Sequence, residues 1–268
     1  MNEIIGYALS VLVGISLGLI GGGGSILTVP ILVYVFGYGA EISTSYSLFI
    51  VGITAMAGAV KYYSDDLVNV KAALLFSLPS LTAVFVTRKY LMPAVPEEIF
   101  SIGNIHYLKP MFIMTIFAAL MIAASVSMIR KKKSRGNSTE KKNSYNYILI
   151  FIQGAVTGIL TGFLGAGGGF LIIPALVLLA GLPMKEAVGT SLLIIAINSL
   201  LGFTGDLSAG VHFNWIMLGI FSLFTVSGIF AGSSLAKKIN GDKLKPAFGW
   251  FILIMGIFIL LKETVLKT

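Results

Sequence analysis

Residues 18–30 read GLIGGGGSILTVP, and residues 162–174 read GFLGAGGGFLIIP. The order of glycines, apolar residues and terminal proline agrees throughout, so the chain contains an internal repeat. Thr44-Ser45 follows the first copy, and Thr190-Ser191 follows the second copy at nearly the same distance. Two ordered matches predict that the chain consists of two homologous halves.

A polar stretch separates the two halves. Residues 131–144 contain lysines, serines and a glycine but few apolar side chains. A weaker third match places Asn69 and Asn214 at similar points before later apolar runs. We therefore predict a first membrane repeat over residues 1–130, a basic linker over 131–144 and a second membrane repeat over 145–268.

The composition is that of a polytopic membrane protein. Of the 268 residues, 56% are hydrophobic and only 11% are charged, and the mean hydropathy is +0.94. These values exclude a water-soluble globule. Apolar runs near the roughly 20 residues needed to cross the bilayer recur along most of the chain, which indicates many spans. The chain has no cysteine, which rules out disulfides and thiolate metal sites.

The predicted fold is all-α, with about ten transmembrane or half-membrane helices in two repeats of five. An odd number of segments per repeat gives the two copies opposite orientations in the membrane, an inverted-topology repeat. The predicted segments are residues 4–20, 25–37, 44–60, 71–87 and 110–129, then 146–164, 169–180, 187–205, 213–235 and 246–261.

The formal charge of +8 is concentrated in short connections between apolar runs. The basic clusters lie at residues 130–142 and 237–245, where the positive-inside rule explains them better than nucleic-acid binding does. We therefore predict a multi-pass protein of the cytoplasmic (inner) membrane, with the 131–144 loop in the cytoplasm and both termini outside. Membrane lipid is an expected partner, and nucleic acid is not.

Each glycine cluster is predicted to break a helix inside the membrane. Glycine costs roughly 1 kcal/mol relative to alanine in a helix interior, and the following runs are too short to cross the bilayer. A helix that starts inside the membrane presents unpaired N–H groups and a positive dipole end, which favour an anion. The alternative is that glycine only allows close helix packing, as we expect for Gly58, Gly154, Gly158 and Gly202.

Neutral donors are expected to hold this anion, because the predicted spans contain essentially no ionisable side chain away from their ends. Each hydroxyl in the set could instead bond a preceding helical carbonyl, and the amide could bond another helix. The predicted substrate-binding residues are Gly22, Gly23, Gly24, Ser25, Thr44, Ser45, Gly167, Gly168, Gly169, Thr190, Ser191 and Asn198.

Three titratable residues are left out of the predicted site. His106 and His212 lie near predicted span ends, and neither has a second ligand at a metal-binding spacing. Asp206 is interpreted as a loop carboxylate, with proton transfer as the alternative. We predict no metal, no cofactor and no catalytic residue.

The repeated glycine segments, each followed by a proline and then by Thr-Ser, resemble the TauE/SafE sulfite exporter family over nearly the whole chain. The resemblance implies export of sulfite, a sulfonate or a related sulfur oxoanion. The sulfur in the substrate rests on the resemblance alone. An anion or small-solute channel is the main alternative, and an intramembrane enzyme is disfavoured because no nucleophile–base pair or metal site occurs. A homo-oligomer is possible.

Overall fold

The structure is a computed structural model. It describes residues 2–91, 147–164, 169–208, 213–239 and 241–265, together with shorter pieces between residues 94 and 129. The linker at 131–144 and the second glycine cluster at 165–168 lie outside the described residues.

The described chain is nearly all helical. In the first half, α1 covers Asn2–Ile20, α2 Gly23–Tyr34, α3 Ala40–Tyr63 and α4 Val70–Val86, which continues into a π-helical turn at Thr87–Leu91. In the second half, α5 covers Tyr147–Leu164, α6 Gly169–Pro174 with a π-helical turn at Ala175–Leu179, α7 Met184–Ser208, α8 Trp215–Lys238 and α9 Gly241–Val265.

Nine of the ten predicted segments coincide with these helices to within a few residues. The tenth, 110–129, lies in a stretch of which the structure describes only some residues, and those are helical. One element departs from the predicted all-α fold. Strands β1 (Glu98–Ile102) and β2 (Ile105–Leu108) form an antiparallel hairpin with Ile102 opposite Ile105. The sequence contains its signal, because Gly103-Asn104 separates two β-prone runs. His106 therefore lies on β2, opposite Ser101.

The two asparagines of the weak third match have the same structural role. The side chain of Asn69 accepts a hydrogen bond from the Ala72 N–H (2.9 Å) and caps α4. Asn214 accepts one from the Met217 N–H (3.1 Å) and caps α8. A side-chain oxygen at this position satisfies one of the unpaired donors of the first helical turn.

Close glycine contacts fix the relative direction of the helices. Helix α1 runs parallel to α8, because Gly14 contacts the backbone at Gly228 and Gly18 contacts it further along, at Gly232. Helices α4 and α5 are also parallel, since Gly154 faces Phe76 and Gly158 faces Ser80; these glycines therefore have the packing role that the sequence predicted.

Helices α3 and α7 cross at the centre of the molecule in opposite directions. Gly52 faces Leu200, whereas Gly58, further along α3, faces Leu192. A contact between Gly202 and Leu48 lies towards one end of this pair, and a contact between Gly189 and Tyr62 lies towards the other.

The distribution of side chains is that of a membrane protein. The large apolar side chains of Ile148, Ile216 and Leu223 are 75%, 78% and 67% exposed. Contact of such side chains with water is unfavourable, so this surface suits a lipid environment. Hydroxyl side chains such as Thr54 and Thr225 are fully buried between helices. Among the described residues, four segments are long and apolar enough to cross a membrane: Ile42–Tyr63, Val70–Leu91, Met184–Leu207 and Trp215–Lys238.

Candidate functional site

The first glycine cluster forms a turn between two helices, as the sequence predicted. Helix α1 ends at Ile20 and α2 begins at Gly23. Gly21 has φ +76°, in the left-handed region that favours glycine, and its N–H donates to the Leu17 carbonyl at 2.7 Å. Gly22 has no side chain to cap α2, so the N–H groups of the first turn of α2 have no side-chain cap.

The turn packs against the second half of the chain. A β-carbon placed on Gly21 would lie 2.6 Å from Ser191 Oγ, 3.0 Å from Ile173 Cδ1 and 3.1 Å from the Val188 carbonyl oxygen. Position 21 therefore requires glycine for two reasons: its φ lies in the left-handed region, and a side chain there would overlap the second half. The turn of the first repeat thus touches helices α6 and α7 of the second.

Three hydroxyl groups around this turn already have partners. Ser191 Oγ donates to the Val188 carbonyl at 2.8 Å, the helical-carbonyl bond considered as an alternative from sequence. Thr190 Oγ1 accepts the Asn69 N–H at 2.9 Å and so ties α7 to the start of α4. Tyr62, which sequence reasoning did not select, donates its buried hydroxyl to the Gly18 carbonyl at 2.7 Å. Of these three, Ser191 is the one that directly faces Gly21.

The structure does not bring all predicted residues into one site. Thr44 and Ser45 lie in the first turns of α3, and Thr190 and Ser191 lie in the first turns of α7. Because α3 and α7 are antiparallel, these two pairs occupy opposite ends of the crossing. Gly167 and Gly168 lie outside the described residues, as does the side chain of Ser25, while Gly169 is the first residue of α6.

Asn198 faces a separate cavity of about 400 Å³ near the carboxyl end of α7. Its Nδ2 donates to Ser80 Oγ at 3.0 Å, and its buried Oδ1 has no partner among the described residues. Since a hydroxyl can donate or accept, Ser80 permits the amide to present either its oxygen or its NH₂ to the cavity. The cavity is otherwise mainly apolar, lined by Leu48, Leu81, Val84, Phe85, Thr161, Leu201, Gly202, Gly205 and Asp206.

The position of Asp206 corrects the sequence interpretation. Asp206 is not in a loop but on the last turns of α7, which extends to Ser208. Positions 198, 202 and 206 share one face of a helix because they are four residues apart. Asp206 therefore lines the same cavity as Asn198, and the glycines between them leave the cavity open.

Comparisons with known proteins identify one family and several relatives described as membrane transporters. The sequence profile described as "Sulfite exporter TauE/SafE" matches residues 7–259. A "Probable membrane transporter protein" of Xylella fastidiosa is 29% identical over 255 residues, covering 93% of this chain and 91% of the relative. "Probable membrane transporter protein YunE" of Bacillus subtilis is 27% identical over 275 residues, covering 97% and 96%. "Probable membrane transporter protein MJ0441" of Methanocaldococcus jannaschii is 26% identical over 271 residues, covering 96% of this chain and 94% of the relative. No solved structure matches the chain significantly.

Proposed function

Because the chain belongs to the TauE/SafE family of sulfite exporters, we propose that it is a secondary transporter that exports a small sulfur-containing oxoanion across the cytoplasmic membrane by alternating access. Sulfite and sulfonates are the candidate substrates. Family membership supplies the transporter class and the sulfur in the substrate. The turn at Gly21–Gly22, with Gly21 packed against the second half, is the structural observation that carries the proposal.

The packing of the helices supports an inverted-topology repeat. Under the sequence match, α1 corresponds to α5, α3 to α7 and α4 to α8. Replacing each helix by its equivalent converts the packed pair α1–α8 into the packed pair α5–α4. It likewise converts the packed pair α3–α8 into the packed pair α7–α4. Each pair of equivalent helices runs in opposite directions, which a two-fold axis in the membrane plane would produce.

The chemistry around the turn supports an anion as substrate. The start of α2 presents backbone N–H groups and the positive end of a helix dipole, and glycine allows a ligand to approach the backbone closely. We propose that Gly22, Gly23, Gly24 and Ser25 contact the anion from one side. Ser191 would contact it from the other side after its hydroxyl leaves the Val188 carbonyl.

The corresponding residues of the other end are proposed to form the alternate site. These are Gly167, Gly168 and Gly169 of the second repeat together with Thr44 and Ser45 of the first repeat. Alternating access would then move the anion from one glycine motif past the other as the repeats rock against each other.

The proposed outward direction of transport is supported by the membrane potential. The basic clusters at 130–142 and 237–245 favour a cytoplasmic location, which places both termini outside. An inside-negative potential drives an anion outward by about 2.3 kcal/mol per charge per 100 mV. Export therefore requires no coupling cation.

The test is uptake of radiolabelled sulfite into proteoliposomes under an imposed membrane potential, with unlabelled sulfonate, sulfate and chloride as competitors. Saturable flux that follows the potential and is blocked by sulfonate supports the proposal. Counterflow of labelled substrate distinguishes a carrier from a channel, because a channel does not exchange one anion for another. Absence of sulfite flux in folded protein would remove sulfite as substrate.

A further inference from the structure

A second cavity, of about 260 Å³, lies at the opposite end of the α3–α7 pair from Asn198. It is bounded by the end of α3, the start of α7 and the end of α8, with Tyr62, Asp65, Leu67, Lys185, Ala236 and Lys237 in its wall. We propose that this cavity binds an oxoanion between the Lys185 and Lys237 ammonium groups, and that Asp65 competes with the anion for Lys237.

The charges in the cavity favour an anion. Lys237 Nζ lies 2.7 Å from Asp65 Oδ2 and 2.8 Å from Oδ1, so one carboxylate occupies this ammonium. Lys185 Nζ donates instead to the neutral carbonyl of Lys237 at 3.2 Å. The wall therefore carries two positive charges and one negative charge. Each ammonium has three donors, which leaves hydrogen-bonding capacity for an oxoanion.

The Asp65–Lys237 ion pair is exposed enough to exchange partners. The side chain of Lys237 is 44% exposed and that of Asp65 is 23% exposed. Ion pairs at such positions contribute little free energy, since water screens the attraction and ordering both side chains costs entropy. An oxoanion that reaches both lysines gains two charge-assisted hydrogen bonds, whereas Asp65 bonds only Lys237.

The cavity is connected to the glycine turn through one side chain. Tyr62 lines the cavity, and its hydroxyl donates to the carbonyl of Gly18, one turn of helix before Gly21. Tyr62 therefore links the wall of the cavity to the end of α1 that leads into the turn. The inference rests on the proposed function for this step: the cavity would collect the anion before it reaches the turn.

Two sources could supply the oxoanion, a free anion in solution or the phosphate of an anionic lipid headgroup. The shared chemistry is an oxygen-bearing anion between two ammonium groups. Thermal unfolding of the purified full chain in lipid-free detergent distinguishes them. One arm titrates sodium sulfite against sodium chloride at equal ionic strength, and the other adds phosphatidylglycerol against phosphatidylcholine. A ligand that binds only the folded state raises the melting temperature with its concentration, which yields an apparent Kd.

Five single variants test the assignment. We expect Lys237→Gln and Lys185→Gln to raise the apparent Kd for sulfite by about tenfold or more, because each removes one charge-assisted contact. Asp65→Asn should lower it severalfold by releasing Lys237. Lys243→Gln is the matched control, since Lys243 is exposed on α9 outside the cavity wall, and it should leave the Kd within about twofold. Lys237→Arg should restore most of the affinity if a cation is what the site requires.

The outcomes separate this inference from the proposed function. Sulfite stabilisation that depends on both lysines supports the site even if proteoliposomes show no flux, in which case only the transport proposal fails. Lysine-dependent stabilisation by phosphatidylglycerol without any by sulfite would assign the cavity to lipid and overturn its role in collecting substrate. Equal stabilisation of all variants, or none by either ligand, would overturn the oxoanion site while leaving any measured flux unaffected.

Discussion

Replacement of Gly21 by alanine separates backbone strain from crowding, because the chain provides matched controls. Gly37 has φ +75° and Gly181 has φ +76°, the same conformation as Gly21 at +76°. A β-carbon on Gly37 or Gly181 would meet nothing within 4 Å, whereas one on Gly21 would meet Ser191 Oγ at 2.6 Å. The three alanine variants therefore share the strain and differ only in the close contact.

The expected magnitudes follow from this comparison. An L-residue in the left-handed region costs about 1–2 kcal/mol, so Gly37→Ala and Gly181→Ala should lose about that much stability. Any gain from a stiffer unfolded chain is the same for all three. Overpacking adds about 1–3 kcal/mol at Gly21. Gly21→Ala should thus be the less stable variant, with an equilibrium constant for unfolding roughly 5 to 150 times larger than that of Gly37→Ala.

Stability is measured by unfolding in detergent, and transport by sulfite flux into proteoliposomes per folded molecule. We expect Gly37→Ala to retain flux within about twofold and Gly21→Ala to lose more than about tenfold, since a displaced turn misplaces the N–H groups of α2. Equal stability and equal flux in the two variants would refute the reasoning. It would mean that Gly21 contributes only its φ.

A second-site change sharpens the test. Ser191→Ala removes the oxygen nearest to the new methyl group, while Ile173 Cδ1 at 3.0 Å and the Val188 carbonyl oxygen at 3.1 Å remain. Gly21→Ala combined with Ser191→Ala should therefore recover part of the lost stability, seen as a non-additive term in a double-mutant cycle. Strict additivity would show that the hydroxyl and the turn do not interact.

Three further tests concern other parts of the structure. Thr54 and Thr225 share a buried hydrogen bond of 2.7 Å between α3 and α8. In a double-mutant unfolding cycle, Thr54→Val and Thr225→Val should show a coupling free energy of about 0.6 kcal/mol. A coupling of zero would contradict the hydrogen bond. Gly154→Leu should lower the yield of folded protein because the side chain overlaps the backbone of α4, whereas Gly219→Leu, with open space around it, should not. Asp206→Asn removes a carboxylate from the wall of the Asn198 cavity and should abolish any stimulation of sulfite flux by an imposed proton gradient; unchanged stimulation would remove Asp206 from proton transfer.

Features that depend on local sequence were predictable. The break at Gly21–Gly22 follows from the low helix propensity of consecutive glycines, which acts without any partner. The helix starts after Asn69 and Asn214 follow from side-chain capping, which is equally local. The hairpin at residues 98–108 also has a local signal, its Gly-Asn dipeptide, but a pattern of apolar spans does not reveal it.

The hydroxyls that come together depend on how the helices pack in space, which the sequence repeat alone does not give. The motif places Thr-Ser at the start of both α3 and α7, which suggested that all four hydroxyls would meet. The antiparallel crossing instead separates Thr44-Ser45 from Thr190-Ser191 by most of a helix length. Asp206 was misplaced for a related reason, since an acid after a glycine favours a loop locally, but packing extends α7 to Ser208.

The two repeats have also diverged at a pair of corresponding contacts between helices. Thr225 and Ser80 lie the same number of residues after the asparagine that caps their helix, and each bonds the central helix of the opposite repeat. The Thr54–Thr225 bond is sealed, with both side chains fully buried, whereas the equivalent bond from Ser80 goes to Asn198 and borders a cavity. An exact two-fold arrangement would offer an anion two identical half-sites. This chain instead has a sealed hydroxyl pair in one half and an amide that borders a cavity in the other, so the two halves do not offer equivalent donors.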